Sequence, residues 1–411
     1  MKILYVVHQF MPEFIGGTEQ DTWEVAKRMQ ARGHEVIIAH RAPGSGGLVQ
    51  TRRDAIPVHR LESGSMDTWS LFAATFGDYR LTRQFRLVFQ TFQPDVVHFQ
   101  HLRGLPPGLV SWAKSRGRSV FLSLRDFWFV CPNAQLLNYV NGKICTAPGD
   151  PLHCARCALV RVGYRSLLPI APLFAPLMSA RNHILRKAMK RVDALFTYSR
   201  FVRNWYTEYG APEEKLHYVA RGIPRPDRSI LAQAEDDFIR FVYIGGLSWQ
   251  KGIHVVVKAF NALNERAQLL IAGDETQYPH YVESLRALAQ HPGVSFLGRI
   301  DRETVWKTLA SADAVVVPSL WYETFSMLTR EAFAMQVPVI ASDHGALAEA
   351  VTDGKDGLLV PPGDVDAWRE VIQRLCGSGE LRARLRAGVT PPLTMRDYLD
   401  NLEGYYTSTY H

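Results

Sequence analysis

Pro318-Ser319-Leu320-Trp321-Tyr322-Glu323-Thr324-Phe325-Ser326-Met327-Leu328-Thr329-Arg330-Glu331 is the stretch that decides how this chain reads. It follows Ala314 to Val317, a short β-branched apolar run that predicts a buried strand. The residues after it predict a helix over roughly Phe325 to Met335. Glu323 stands before that helix and Glu331, eight residues on, stands within it. The helix start offers the backbone amides of Thr324, Phe325 and Ser326. Unpaired N–H groups backed by the helix dipole suit a phosphate. Carboxylates accept hydrogen bonds from sugar hydroxyls. A phosphate seat flanked by two such carboxylates is what a sugar joined to a nucleotide needs.

Outward from this stretch, short apolar strands alternate with amphipathic helices, which argues for α/β domains with parallel sheets. In the first half the strands read near Ile3–Val7, Glu35–Ala39, Pro57–Leu61, Val96–Phe99, Ser119–Leu124, Ala194–Tyr198 and Leu216–Val219. A loop with Pro224 and Pro226, then acidic Glu235-Asp236-Asp237, reads as a linker. The second half restarts at Ile239–Ile244 and continues with Gln268–Ala272, Val294–Leu297, Ala314–Val317 and Val337–Ala341. Ligands of open parallel sheets bind at the carboxyl ends of the strands.

With 411 residues, 47% of them apolar and 21% charged, the chain has the composition of an ordinary globular protein of two or three domains. Lys2 to Val7 is too short for the apolar core of a signal peptide, and no uncharged apolar run is long enough to span a bilayer. A cytoplasmic location is expected. The net charge of +7 admits anionic partners, and its distribution is uneven. Between Arg156 and Arg191 lie eight basic residues and no acidic one, interleaved with apolar Leu167 to Met178 and broken by Pro169, Pro172 and Pro176. That mixture suits the anionic inner face of a membrane, or a basic helix packed on the core. No nucleic-acid partner is expected.

Four of the five cysteines, Cys131, Cys145, Cys154 and Cys157, fall in one loop-rich stretch, the last two as Cys-x-x-Cys. Clustered thiols in a cytosolic chain point to a structural zinc, with free thiols or a disulfide as the alternatives. Near the N-terminus, Gly16-Gly17 precedes a helix, where a backbone can approach an anion closely. Neither a dinucleotide fingerprint nor a Walker A pattern is present. Lys251 follows a strand and a glycine pair, where a point cation can neutralise developing phosphate charge.

The Glu323–Glu331 stretch resembles the Glu-(seven residues)-Glu motif of retaining glycosyltransferases of family 4, which have the GT-B fold. Gly245-Gly246-Leu247-Ser248-Trp249-Gln250-Lys251-Gly252 is similar to that family's Gly-Arg-Leu…Lys-Gly loop. Pro338 to Asp343, Gly345 to Glu349 and Asp356 to Val360 resemble its closing segments in order, so the likeness covers almost the whole chain. It implies two Rossmann-like domains with parallel sheets facing across a cleft. Residues 1–222 would form the acceptor side, 223–394 the nucleotide-sugar side, and 395–411 would cross back to the first domain.

The resemblance also implies roles. Glu331 would hold the ribose diol, Glu323 a sugar hydroxyl, and Lys251 the leaving diphosphate, with Gly16 and Gly17 near the diphosphate and the acceptor. His101, favoured over His98, would touch the transferred sugar, and Asp126 would orient the acceptor. Gly246 stands where the family has Arg; Arg299 and Arg221 are candidates to replace that cation. The implied reaction moves a hexosyl group from a UDP- or GDP-linked donor to a hydroxyl with retention, with no enzyme nucleophile and no cofactor required for catalysis. The implied acceptor is a glycan, lipid-linked in surface-polysaccharide synthesis. The rival readings are a glycoside hydrolase or phosphorylase, which also uses paired carboxylates, and a non-catalytic nucleotide-sugar-binding protein.

Overall fold

The computed structural model describes residues 1–224, 238–263 and 266–408. The expected linker at Pro226 and Glu235–Asp237 lies outside the described residues. The chain divides into two compact units. Unit 1 is Met1–Ala220 together with the C-terminal residues from Arg396, and unit 2 is Arg221–Met395.

Unit 1 is built on an eight-stranded sheet. Its strands lie in the order Leu216–Tyr218, Ala194–Thr197, Ser119–Ser123, Val96–Phe99, Lys2–Val7, Glu35–Ala42, Ile56–Glu62 and Leu48–Arg53. All neighbours run parallel except the last pair, which is antiparallel. The inner strands read as unbroken apolar runs because helices cover both faces; of Lys2–Val7, only Lys2 is not buried. Leu48–Arg53 escaped the sequence reading because every one of its residues is exposed, so no apolar alternation marks it.

The final helix, Met395–Ser408, folds onto this sheet. Tyr398 and Tyr406 are buried, and the Tyr406 hydroxyl lies 2.6 Å from His98 Nδ1. Glu403 takes the His34 ring at 2.8 Å and the Arg32 guanidinium at 2.8 Å. The proline-broken apolar run forms a 3-10 helix, Arg165–Phe174, leading into the α-helix Ala175–Arg191. Pro169 and Pro172 account for the tighter coil, since neither can donate an α-helical hydrogen bond.

Unit 2 carries a six-stranded, wholly parallel sheet. Its order is Val294–Gly298, Ala267–Ala272, Ile239–Ile244, Ala314–Val317, Val339–Ser342 and Gly357–Val360. In chain order that is 3-2-1-4-5-6, the doubly wound arrangement of nucleotide-binding sheets. One face packs Phe241, Leu269 and Val316 against Val256, Phe260 and Trp368. The other packs Val242, Val315 and Ala341 against Leu309, Phe333 and Leu347.

Candidate active site

A doubly wound sheet opens a crevice where the strand order reverses, beyond the carboxyl ends of the two strands involved. In unit 2 those strands are Ile239–Ile244 and Ala314–Val317. The first leads through Gly245-Gly246 into the short turn Trp249–Lys251, the second into Pro318–Glu323. The two loops are clasped together. The Leu320 amide donates to the Gln250 carbonyl at 2.9 Å. Gly252 has φ of 73°, and a Cβ there would lie 1.9 Å from the Pro318 carbonyl oxygen. Only glycine allows that approach.

The clasp brings Lys251 Nζ to 2.7 Å from Glu323 Oε1. The same oxygen accepts from Ser319 Oγ at 2.6 Å and Trp321 Nε1 at 3.1 Å. The lysine also lies 5.2 Å from the Trp321 ring centre. Trp321 therefore touches the charged pair directly. Burial pushes the Glu323 carboxyl up, but Lys251, Ser319 and Trp321 outweigh it and hold the group below the usual carboxylate range.

The following helix runs Met327–Ala334, not from Phe325. Ser326 has φ of 57°, outside the helical region, and acts as the N-cap, its hydroxyl accepting from the Thr329 amide. The leading amides of the helix are therefore those of Met327 and Leu328, and the expected trio of Thr324, Phe325 and Ser326 precedes it. Glu331 is buried on this helix and pairs with Arg302 at 2.7 Å. Arg302 lies 4.2 Å from the Trp306 ring centre. Asp301 caps the helix Arg302–Ala310 and so sets Arg302 in its first turn. Burial raises the Glu331 carboxyl above its ordinary value despite Arg302 and Arg221 nearby.

Arg302 was missed by sequence reading, because nothing in its neighbourhood marks a partner 29 residues away. A side chain at Gly246 would meet nothing within 4 Å, so the missing arginine leaves open space. Of the two proposed substitutes, Arg221 is buried, lies 6.0 Å from the Phe325 ring centre and contacts the Met327 sulfur at the helix start. Arg299 is exposed, and its charge acts on Asp274.

Unit 1 has its own reversal of strand order, between Lys2–Val7 and Val96–Phe99. Beyond their ends, His8 and His101 face each other with ring centres 4.4 Å apart. His101 Nδ1 accepts the Arg103 amide at 3.0 Å, which leaves the proton on Nε2, 3.1 Å from Asp126 Oδ1. That contact is close in distance, yet its alignment is poor enough to leave Nε2 without a formal hydrogen bond. Burial pushes Asp126 up; His101 and the Trp128 amide, at 2.8 Å, bring it below its ordinary value.

Gly17 opens the helix Gly17–Ala31, and space beside it is clear, whereas a Cβ on Gly16 would fall 2.5 Å from the Glu19 carboxylate. Glu19 is buried 3.6 Å from His8 Nε2. Burial raises the Glu19 carboxyl and pushes His8 well below the ordinary histidine value. His98 is structural, its ring held between Tyr406 and Ser123. Gln100 accepts from Arg125, which also pairs with buried Asp21, so this glutamine serves a buried ion pair. Neither His8 nor Glu19 was read as functional; their only sequence signal was adjacency to the glycine loop.

Comparison with known proteins places the chain among relatives. The model of "Glycosyltransferase Family 4" matches residues 15–225, more than half of the chain, and that of "Glycosyl transferases group 1" matches residues 239–378. Glycogen synthase of Mycobacterium tuberculosis is 24% identical over 388 residues, 89% of this chain and 83% of that one. D-inositol 3-phosphate glycosyltransferase of Jonesia denitrificans is 35% identical over 209 residues. That match takes in 44% of this chain and about half, 48%, of the relative's length. Among solved structures, sucrose-phosphate synthase of Thermosynechococcus elongatus aligns with a TM-score of 0.73 at 17% identity, covering 100% of this chain and 99% of that one. Anabaena Alr3699/HepE in complex with UDP aligns at 0.70 and 16%, covering 99% and 100%. The fold is that of the GT-B glycosyltransferases, and the chain belongs to glycosyltransferase family 4.

Proposed function

We propose that this glycosyltransferase moves a hexosyl group from a nucleotide-diphosphate sugar to a hydroxyl acceptor with retention of configuration. The observation that carries the reading is the Lys251–Glu323 pair at the strand-order reversal of unit 2, with Glu331 on the next helix. Lys251 supplies positive charge for the departing diphosphate, Glu323 binds a sugar hydroxyl, and Glu331 takes the ribose diol. Arg221, at the start of the Glu331 helix, takes the place of the arginine absent at Gly246. Gly17, His101 and Asp126 serve the transferred sugar and the acceptor hydroxyl. Alr3699/HepE is known in complex with UDP and with UDP-glucose, which supports a nucleotide-sugar donor here. A hydrolase needs a proton-donating carboxyl beside a second carboxylate. Glu323, held ionised by three donors, is ill suited to be that acid.

Titration calorimetry with UDP and GDP, followed by turnover of the matching sugar nucleotides, tests the reading. Binding with transfer supports it, binding without any turnover leaves a sensor, and hydrolysis without a nucleotide overturns it.

The acceptor we infer is a lipid-linked glycan at a membrane surface. Among the described residues no helix is long and apolar enough to cross a membrane. Arg186, Lys187, Lys190 and Arg191 are exposed on the helix Ala175–Arg191. Tyr164, Ile170 and Leu173 are exposed in the segment before it. Cations near an anionic surface contribute about 1 kcal/mol each, an attraction that salt weakens. Replacing those four basic residues by Gln should release the protein from anionic vesicles and leave donor binding intact. Indifference of the parent protein to anionic vesicles at low salt would favour a soluble acceptor.

A further inference from the structure

From the arrangement of Cys131, Cys145, Cys154 and Cys157 we propose a structural tetrathiolate zinc site, separate from the transfer chemistry. The segment from Cys131 is mostly loop until the helix Pro151–Arg161, which carries Cys154 and Cys157. Its only strands, Leu137–Asn138 and Lys143–Ile144, are two residues each. Its apolar cluster is small, with Cys154, Ala155 and Met178 at its centre. Yet three of the four cysteines are buried, all four are unbridged, and all four line one small cavity together with Asn133 and His153. The cavity holds about 10 Å³, room for the centre of a single water-sized sphere.

Two N–H groups are already aimed at one of the sulfurs. Cys157 Sγ receives the Asn133 amide group at 3.1 Å and the Tyr139 backbone N–H at 3.3 Å. Such donors favour the charged form of an acceptor and orient metal ligands.

A second, independent observation is Arg181. Its side chain is completely buried, and among the described residues it has no carboxylate partner. Its guanidinium lies 5.1 Å from the Trp128 ring centre and donates to the Trp128 carbonyl and to Asn182, while Nε has no hydrogen-bond partner. Arg181 sits on the helix Ala175–Arg191, whose Met178 packs with Cys154 and whose Asn182 donates to the Gly149 carbonyl of the cysteine segment at 3.0 Å. A buried cation without a counter-ion is costly. Four thiolates around Zn²⁺ carry a net charge of −2, which supplies the counter-charge.

Among the described residues no three His, Cys, Asp or Glu side chains already stand in ligating positions. The thiols must turn about their Cα–Cβ bonds to converge on the cavity they line. Trp128 connects the loop to the acceptor side of unit 1, since its ring packs on His101 with centres 5.8 Å apart.

Elemental analysis of the full chain, purified without added metal, should find about one zinc per chain. Cys145→Ser and Cys154→Ser should each lower that content severalfold, while Cys376→Ser keeps it. Cobalt in place of zinc should give thiolate-to-metal charge-transfer absorption. A zinc content near zero, with all four thiols titrating in the native protein, overturns the site. Parent-level zinc in Cys145→Ser overturns the four-thiol set. The metal content of the parent is read before any variant, so a variant that misfolds leaves the test intact, and none of these readouts depends on which sugar is transferred.

Discussion

The two strand-order reversals of this molecule are furnished in opposite ways. In unit 2 each candidate carboxylate already has a cation: Lys251 on Glu323 and Arg302 on Glu331. In unit 1, His8 Nδ1, Glu19 Oε1 and His101 Nε2 are buried atoms that lack hydrogen-bond partners among the described residues. A ligand entering the first kind of site must share or displace charges that are already paired. A ligand entering the second adds hydrogen bonds to atoms that lack them, and buried atoms of that kind are costly to leave unpaired. Paired charges therefore mark the crevice of unit 2, and buried atoms without hydrogen bonds mark that of unit 1.

The sharpest way to break this contrast is Lys251→Ala. It strands the Glu323 carboxylate and removes the cation proposed for the leaving group. Removing a transition-state donor of this sort costs about 10²–10³ in kcat. Steady-state kinetics that stay within about twofold of the parent would mean that charge is not what unit 2 supplies.

Glu331→Ala should act on binding. Losing a charged acceptor costs about 1.5–3 kcal/mol per hydrogen bond, or roughly 10- to 100-fold in Kd. Calorimetry with UDP or GDP reads it, and an unchanged affinity in a folded variant removes Glu331 from the ribose.

Gly17→Ala separates fold from function in unit 1. The site has room for a methyl group, and alanine in a helix gains about 0.5–1 kcal/mol over glycine. Thermal unfolding should show equal or greater stability while turnover falls. Full activity in that variant would place the ligand elsewhere.

The smallest effect is in the pH dependence of stability, where the two unit 2 carboxylates should differ in sign. Glu323 is depressed in the folded state, so its stabilisation is present above the ordinary glutamate range and lost as pH falls through the folded value. Glu331 is raised, so its contribution is full below the ordinary range and lost as pH rises through the folded value. Denaturation of Glu323→Gln and Glu331→Gln against the parent between acid and neutral pH should give differences of opposite slope. Parallel profiles would show that the two carboxylates share one environment.

Much of unit 2 was legible because its signals are local. Lys251, Glu323 and Glu331 each follow a strand or a turn whose apolar run is visible, and the strand order then gathers them. What stayed illegible depended on three-dimensional neighbours. The helix began two residues late because Ser326 adopts a positive φ that no pattern announces. Arg302 reaches Glu331 from a different helix, and His8 meets His101 only because two strands far apart in sequence lie side by side. The strand Gly357–Val360 was quoted for its motif without being read as a strand, since four residues beginning with glycine give weak periodicity. The part played by Gln100 shows only once Arg125 and Asp21 are seen beside it.

The helix Met395–Ser408 has a bearing on how the molecule is made. Tyr406 and Tyr405 cover Phe121 and Phe196, with ring centres 5.0 and 5.1 Å apart, yet they leave the ribosome after every residue of Arg221–Met395. The six-stranded unit can therefore close during synthesis, since compact units tend to fold independently. The eight-stranded one, begun first, waits with an aromatic face uncovered until the helix Met395–Ser408 has been made. The first half of this protein to be synthesised is the last to be finished.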